Sequence, residues 1–396
     1  MPIYHIPTRI LFGRGAIDHL HEQDLPFKRA LVVTTSGQSV KTYGYLDKVQ
    51  AELKKAKIET VLFDKVKGNP THETVLEGAK LAREKACDVI VGLGGGSPID
   101  SAKAIAYLAT NDGTLWDYLK SGSGKGKKFK NAPLKIIAVN TTAGTGTECD
   151  PWSVITDETL DEKIGWGLEG SFPYIGVDDV DMMVTVPKML SMYQGFDAFF
   201  HLSEGYLHPK ATEYSRALSL KGMTLIKENL PKVYRNLEDY EARENMALAS
   251  MLGGMVESFS SCTFEHTLEH AISSLFHDVI HGAGLIAISE AYFNRLATSK
   301  KVNAELIEMA KVFDPKARSA FSFANGLHDL KVKCHVDKID LKSFGIAEKD
   351  INTITKKAQA LVGGDGKDFS DPITYSYRDI VNILEDSFEV KPVKKK

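Results

Sequence analysis

The sequence predicts two domains in series: an α/β domain built on a parallel sheet, followed by an all-helical domain. Three observations predict it. Between residues 30 and 140, apolar runs of strand length alternate with amphipathic stretches of helical length. After about Pro187 almost everything to residue 390 carries apolar residues at three-to-four spacing. At 396 residues, 43% of them hydrophobic and 26% charged, the chain also exceeds what one small core accommodates. The junction falls near 180–187, which divides the chain into residues 1–185 and 186–396.

The strands of the first domain are ALVVTT (30–35), TVLFD (60–64), DVIVGL (88–93) and LKIIAV (134–139), with helices around 42–56, 71–86 and 98–110. Strand, helix, strand in alternation implies right-handed crossovers and parallel pairing. A run as apolar as DVIVGL suits a sheet covered on both faces. The stretch KSGSGKGKKFKN (120–131) reads as a surface excursion. In the second domain EYSRALSLKGMTLIKENLPKVYRNL (213–237) is the longest helical pattern.

A formal charge of −3 leaves no electrostatic footprint for nucleic acid or a membrane surface, and the only basic run is the terminal KPVKKK. Cys87, Cys149, Cys262 and Cys334 lie far apart without CxxC spacing, as free thiols in a reducing compartment would. MPIYHIPTRILFG lacks the basic and apolar regions of a signal peptide, and no apolar run approaches a membrane span. A cytoplasmic protein is expected.

The third strand runs into GLGGGSPIDSAKAIAYL. Gly94, Gly95 and Gly96 allow a tight turn with bare amides, and Ser97 and Pro98 open a helix whose positive end suits a phosphate. The spacing is neither GxGxxG nor a P-loop. The next strand ends in NTTAGTGTECD (140–150), a second cluster of small and hydroxyl residues at the same carboxyl edge, where open α/β sheets bind ligands. Together the two loops point to a dinucleotide.

HTLEHAISSLFHDVIHG (266–282) holds four of the twelve histidines, and on one ideal helix His266, His270, His277 and His281 fall within about 60° of arc. Asp197 and His201 in GFDAFFH are four apart and share a helix face. A straight helix would spread the four imidazoles over about 22 Å, whereas donors lie about 2 Å from a metal. The polar Asp278 and Gly282 suggest an ending or kink before His281 that folds its imidazole back toward His266. The expected ligand set is Asp197, His201, His266 and His281, compatible with Fe²⁺, Zn²⁺ or another first-row ion. HTLEH also fits HxxEH, the inverted zinc-peptidase signature with Glu269 as general base, a reading that leaves the glycine loop and Asp197 with His201 idle.

Five segments resemble the iron-containing (group III) alcohol dehydrogenases: PTRILFGRGAI (7–17), NPTHETVLEGAKLAREKACDVIVGLGGGSPIDSAKAIA (69–106), TTAGTGTE (141–148), GFDAFFH followed by Glu204, and HGAGLIAI (281–288). The resemblance implies an N-terminal dinucleotide-binding domain, a helical metal domain, and a cleft where hydride passes between nicotinamide and a small primary alcohol or aldehyde. It implies the same four metal ligands, with His270 near the nicotinamide positioning or relaying protons. Gly95, Gly96, Ser97 and Asp100 match the phosphate loop, Thr141, Thr142 and Thr145 the second cofactor loop, Lys163 a cofactor-contacting lysine, and Asn69 lies in a matched segment. A homodimer formed around the N-terminal β segment, or a larger assembly, is implied as well.

The chain departs from the family pattern in several places. The last two ligands are fifteen residues apart instead of fourteen, which makes His277 a rival of His281. GFDAFFH stands for GMDALTH and is expected to set Phe199 and Phe200 beside the cleft, narrowing the substrate range; Thr147 replaces the usual serine. Thr35 replaces the aspartate that repels a 2′-phosphate, and with Gly37, Gln38, Ser39 and Lys41 nearby NADP(H) is expected over NAD(H). The dehydroquinate synthase-like and glycerol dehydrogenase-like enzymes share this fold. The former would call for a basic pocket, and no Lys/Arg cluster surrounds the ligand motifs.

Overall fold

The computed structural model describes residues 4–361 and 371–389. Its contacts divide the chain between Val186 and Pro187 into two units.

The first unit is the expected parallel α/β structure. In chain order it contains β1 (Arg9–Gly13), β2 (Arg29–Thr35), α1 (Ser39–Thr42), α2 (Tyr45–Lys55), β3 (Glu59–Val66), α3 (His72–Glu84), β4 (Val89–Gly94), α4 (Gly96–Leu108), α5 (Leu115–Tyr118), β5 (Lys135–Asn140), β6 (Trp152–Asp157), β7 (Glu162–Gly167) and β8 (Ile175–Asp179). Six strands form one sheet in the order β1-β8-β5-β4-β2-β3, every neighbouring pair parallel. The segments between strands cover both faces, so β4 is buried at every residue. One face packs Val33, Phe63, Val75 and Ile105, the other Val32, Leu53, Val91 and Ile137.

The helix expected over 42–56 is split, because Gly44 takes φ 72 and separates α1 from α2. Four strands lie outside the expected set: the edge strand β1, β8 beside it, and the antiparallel hairpin β6–β7.

The second unit contains α6 (Lys188–Leu207), α7 (Glu213–Arg235), α8 (Tyr240–Phe259), α9 (Phe264–Leu275), α10 (His281–Ala297), α11 (Asn303–Ala310), α12 (Phe321–Lys333), α13 (Ile351–Leu361) and α14 (Tyr377–Asp386), with no strand among its described residues. α6 is its central element: from Gly195 to Leu207 every residue is buried, as a helix surrounded by others requires. Close approach depends on missing side chains, since a Cβ at Gly195 would meet Leu230 of α7 at 2.4 Å and one at Gly205 would meet Val256 of α8 at 2.2 Å.

One expectation is corrected here. Phe199 and Phe200 line no open surface; both are fully buried. Phe199 stacks on Phe323 at 5.9 Å and Phe200 lies against Phe293 at 6.5 Å. They sit two and three residues after Asp197 on a helix that is buried on every side there, and serve as core. The histidine stretch breaks before His281, as expected. α9 stops at Leu275, α10 starts at His281, and His277 lies exposed in the turn between them.

Candidate metal centre and nucleotide loop

Asp197 and His201 occupy one buried face of α6, four residues and about one turn apart. α9 supplies His266 from its first turn, and α10 supplies His281 as its first residue. The four expected ligands converge on one oxygen: Asp197 Oδ1 lies 3.6 Å from His201 Nε2, 3.7 Å from His266 Nε2 and 3.5 Å from His281 Nε2. These distances exceed ordinary N–H···O bonds. They approach the roughly 3.4 Å edge of a tetrahedron of donors held about 2.1 Å from one cation.

Asp197 Oδ1 and His266 Nε2 are buried without a hydrogen-bond partner, which a protein interior seldom tolerates. Burial pushes the Asp197 carboxyl up, but the His201, His281 and His266 imidazoles overcome that and hold it well below the usual range. The residues present therefore fit a divalent cation.

Two carboxylates behind the site aim the imidazoles. Glu204, one turn beyond His201 on α6, accepts the hydrogen bond of His266 Nδ1, and Glu269 of α9 accepts that of His281 Nδ1. A carboxylate only accepts, so each Nδ1 carries the proton and each Nε2 presents its lone pair toward Asp197. Glu204 Oε2 also takes the Thr263 N–H at 2.7 Å and the Thr263 hydroxyl at 2.8 Å, satisfying the start of α9. His270, one turn after His266, is half-buried with its ring 5.5 Å from that of His281. Glu269, His270 and His281 form one compact group, and His201, His266 and Cys262 another.

Cys262 and Glu257 had no place in the expected site. Cys262 Sγ donates to Glu257 Oε1 at 2.8 Å, and Glu257 Oε2 lies 3.6 Å from His201 Nε2.

In the first unit the loops after β2, β3, β4 and β5 all leave the carboxyl edge of the sheet, and the strand order reverses between β2 and β4. Gly94 turns with φ 139, Gly95 is the N-cap of α4, and Gly96 is its first residue. A Cβ at Gly95 would meet Thr142 Cγ2 at 2.7 Å, and one at Gly96 would meet Thr145 Cγ2 at 2.9 Å. The glycine loop and the threonine loop thus form one surface, with space only for glycine backbone, and Thr141 N–H closes it on Gly94 O at 3.0 Å. Such a helix N-terminus fits a phosphate.

Thr35 ends β2, and Gly37, Gln38 and Ser39 are exposed beyond it. Lys41 Nζ pairs with Asp64 Oδ2 at 2.5 Å. Asn69, half-buried with φ 53, follows β3. Lys163 is buried on β7.

Asp100 departs from the expected pattern. Its carboxylate accepts from Val154 N–H at 2.9 Å and from the Thr147 hydroxyl at 3.0 Å, bracing the hairpin and the threonine loop. Burial raises its pKa to about 6. Lys103, three residues on, is fully buried among Thr147 O and Oγ1, Asp150 O and Oδ1, and Trp152 O at 2.6–3.0 Å.

A parallel α/β unit with a glycine-lined helix N-terminus at the carboxyl edge of its sheet, followed by a helical unit with a carboxylate–imidazole cluster, is the arrangement expected of a metal-linked oxidoreductase. Family comparison agrees: residues 7–180 match the iron-containing alcohol dehydrogenase profile, and residues 191–388 match the C-terminal profile of the Fe-containing alcohol dehydrogenase family. Alcohol dehydrogenase 4 of Schizosaccharomyces pombe is 33% identical over 90% of this chain and 84% of its own length. 1,3-Propanediol dehydrogenase of Citrobacter freundii is 30% identical over 97% and 98%. Among solved structures, an archaeal halo-thermophilic alcohol dehydrogenase from a Red Sea brine pool superposes with a TM-score of 0.91 at 30% identity, covering 98% of this chain and 99% of that one. The chain belongs to the iron-containing alcohol dehydrogenase family. No helix among the described residues is long and apolar enough to cross a membrane.

Proposed function

We propose that the chain is a metal-dependent, NAD(P)-linked alcohol dehydrogenase acting on a small primary alcohol or aldehyde. The observation that carries this reading is the ring of three imidazole Nε2 atoms 3.5–3.7 Å from the buried Asp197 Oδ1. Asp197, His201, His266 and His281 would hold Fe²⁺, Zn²⁺ or a similar ion. When bound, the cation supplies Lewis acidity to an alcohol or carbonyl oxygen, and a nicotinamide supplies hydride transfer.

The chain's own residues do the rest. Glu204 and Glu269 keep the proton on Nδ1 of His266 and His281. His270 is assigned to receive the substrate hydroxyl proton during oxidation and return it during reduction. Gly95, Gly96 and Ser97 offer backbone N–H groups to the dinucleotide phosphates, with Thr141, Thr142, Thr145, Asn69 and Lys163 around them; Asp100 supports this surface from beneath.

NADP(H) is the preferred coenzyme in this reading. Thr35 carries no charge to repel a 2′-phosphate, and Gln38, Ser39 and Lys41 follow it. The assembly is a cytoplasmic homodimer or larger oligomer, with β1, which has a sheet partner on one side only, at the contact.

The reading is tested by metal analysis of anaerobically purified protein together with steady-state reduction of an aldehyde panel, followed by coenzyme absorbance. One bound cation per chain and NADPH-dependent turnover are expected. Full turnover after exhaustive chelation, or equal catalytic efficiency with NADH, refutes the metal or the coenzyme assignment respectively.

A further inference from the structure

The polar cluster in the helical unit extends past its four expected donors. Cys262 lies in the link between α8 and α9, and its Sγ belongs with a nitrogen of His201 and a nitrogen of His266 to one group whose ligand atoms all lie within 4.8 Å of one another. Glu257, in the last turn of α8, accepts the thiol hydrogen at 2.8 Å through Oε1. Its Oε2 is 3.6 Å from His201 Nε2, the distance at which Asp197 Oδ1 also stands. Asp197 Oδ1 and His266 Nε2 are buried without a hydrogen-bond partner in residues only 5% exposed, and His266 belongs both to this group and to the one with Asp197 and His281.

A free cysteine in a protein interior ordinarily packs as a small apolar group. Here Sγ faces a carboxylate and two imidazoles already gathered around an oxygen that lacks a donor. Sulfur is a strong donor to Zn²⁺ and Co²⁺ and a poor one to Mg²⁺ or Mn²⁺.

We propose that Cys262 is a further ligand of the cation held by Asp197, His201, His266 and His281, with Glu257 positioned to take the thiol proton. The inference rests on the metal centre of the preceding section. On loading, the S–H bond breaks, a sulfur–cation bond forms, and the proton passes to Glu257 Oε1. The centre then selects ions of the zinc and cobalt type over magnesium and manganese.

X-ray absorption at the zinc edge of the zinc-loaded full-length protein tests this directly. The expected result is a nitrogen/oxygen shell at about 2.0–2.1 Å together with a sulfur shell at about 2.3 Å. In Cys262→Ser, loaded in the same way, the sulfur shell disappears while the nitrogen/oxygen shell persists. Cobalt-loaded wild-type protein should show intense thiolate-to-metal absorption in the near ultraviolet, absent from the variant.

A nitrogen/oxygen shell alone in the wild type overturns the proposal, and so does a sulfur shell that survives Cys262→Ser. Should that variant fail to fold, the wild-type zinc and cobalt spectra decide by themselves. Binding of less than one zinc per chain removes the metal centre and this proposal together, whereas a fully loaded site without sulfur removes only the assignment of Cys262.

Discussion

Gly282 is where the smallest perturbation reaches the centre. It follows His281 at the start of α10, and a Cβ there would lie 2.3 Å from the Tyr193 carbonyl oxygen of α6. Ordinary contact begins near 3.4 Å, so Gly282→Ala must move α10 or α6 by about 1 Å, and the obstacle is backbone, which cannot rotate aside. Overpacking of this kind costs about 1–3 kcal/mol. At about 2–4 °C per kcal/mol for a unit of this size, the melting temperature should fall by roughly 2–12 °C. Because ligand geometry tolerates only about 0.5 Å, His281 Nε2 leaves its place 3.5 Å from Asp197 Oδ1, and cation affinity should drop by about tenfold or more. Differential scanning fluorimetry and competition with a chromophoric chelator measure the two effects. A Gly282→Ala protein that melts within a degree of the wild type and holds the ion as tightly would refute the argument that α10 is pressed against α6 at this point.

Three further outcomes are expected. In Glu204→Gln the amide would donate to His266 Nδ1 and move the ring proton to Nε2, weakening cation binding by about 10–100-fold; unchanged affinity in the chelator competition counts against the aiming role. Asp197→Ala and His281→Ala should lose both cation and turnover while His277→Ala keeps both, because His277 lies exposed in the turn after α9; elemental analysis of the three variants decides. Asp178 and Glu148 share the Asn140 amide at 2.9 and 3.0 Å, and burial pushes Asp178 up to about 7. The stability its neutral form supplies is full below about 4, where the unfolded carboxyl also binds a proton, and is lost as the pH rises through about 7. Asp178→Asn escapes that loss, so its melting temperature relative to wild type should rise by roughly 5–11 °C from pH 5 to pH 8; a constant difference would show that the pair holds no such proton.

Much of the first unit was legible because its signals are local. Apolar runs of strand length, a glycine turn after β4 and amphipathic stretches between them need no knowledge of distant partners. β8 was missed and β1 was reached only through the resemblance, because RILFG and IGVDD are five-residue strands whose pairing joins residues more than 160 positions apart. The β6–β7 hairpin carries two short six-residue runs around a turn, outside the strands assigned from the sequence.

In the second unit Asp197 and His201 were visible through their spacing, and the distance argument demanded a break before His281. Glu204 and Glu269 were named, but their pairing with the imidazoles was not visible. Glu204 meets His266 across 62 positions and Glu269 meets His281 across 12, and a single sequence carries no record of such pairings. Phe199 and Phe200 were misplaced for a related reason: α6 is packed on every side, so a residue near Asp197 in sequence enters the core whichever face it takes.

Lys103 has a consequence for how a dinucleotide is received. A buried ammonium among five acceptor oxygens of residues 147–152 locks that stretch onto α4, and Asp100 fastens the neighbouring hairpin to the same helix. The glycine turn at the head of α4 therefore cannot shift without dragging the threonine segment along. In the proposed reading the surface offered to the coenzyme is tied together before binding, so the guest would spend little of its binding free energy on ordering the host.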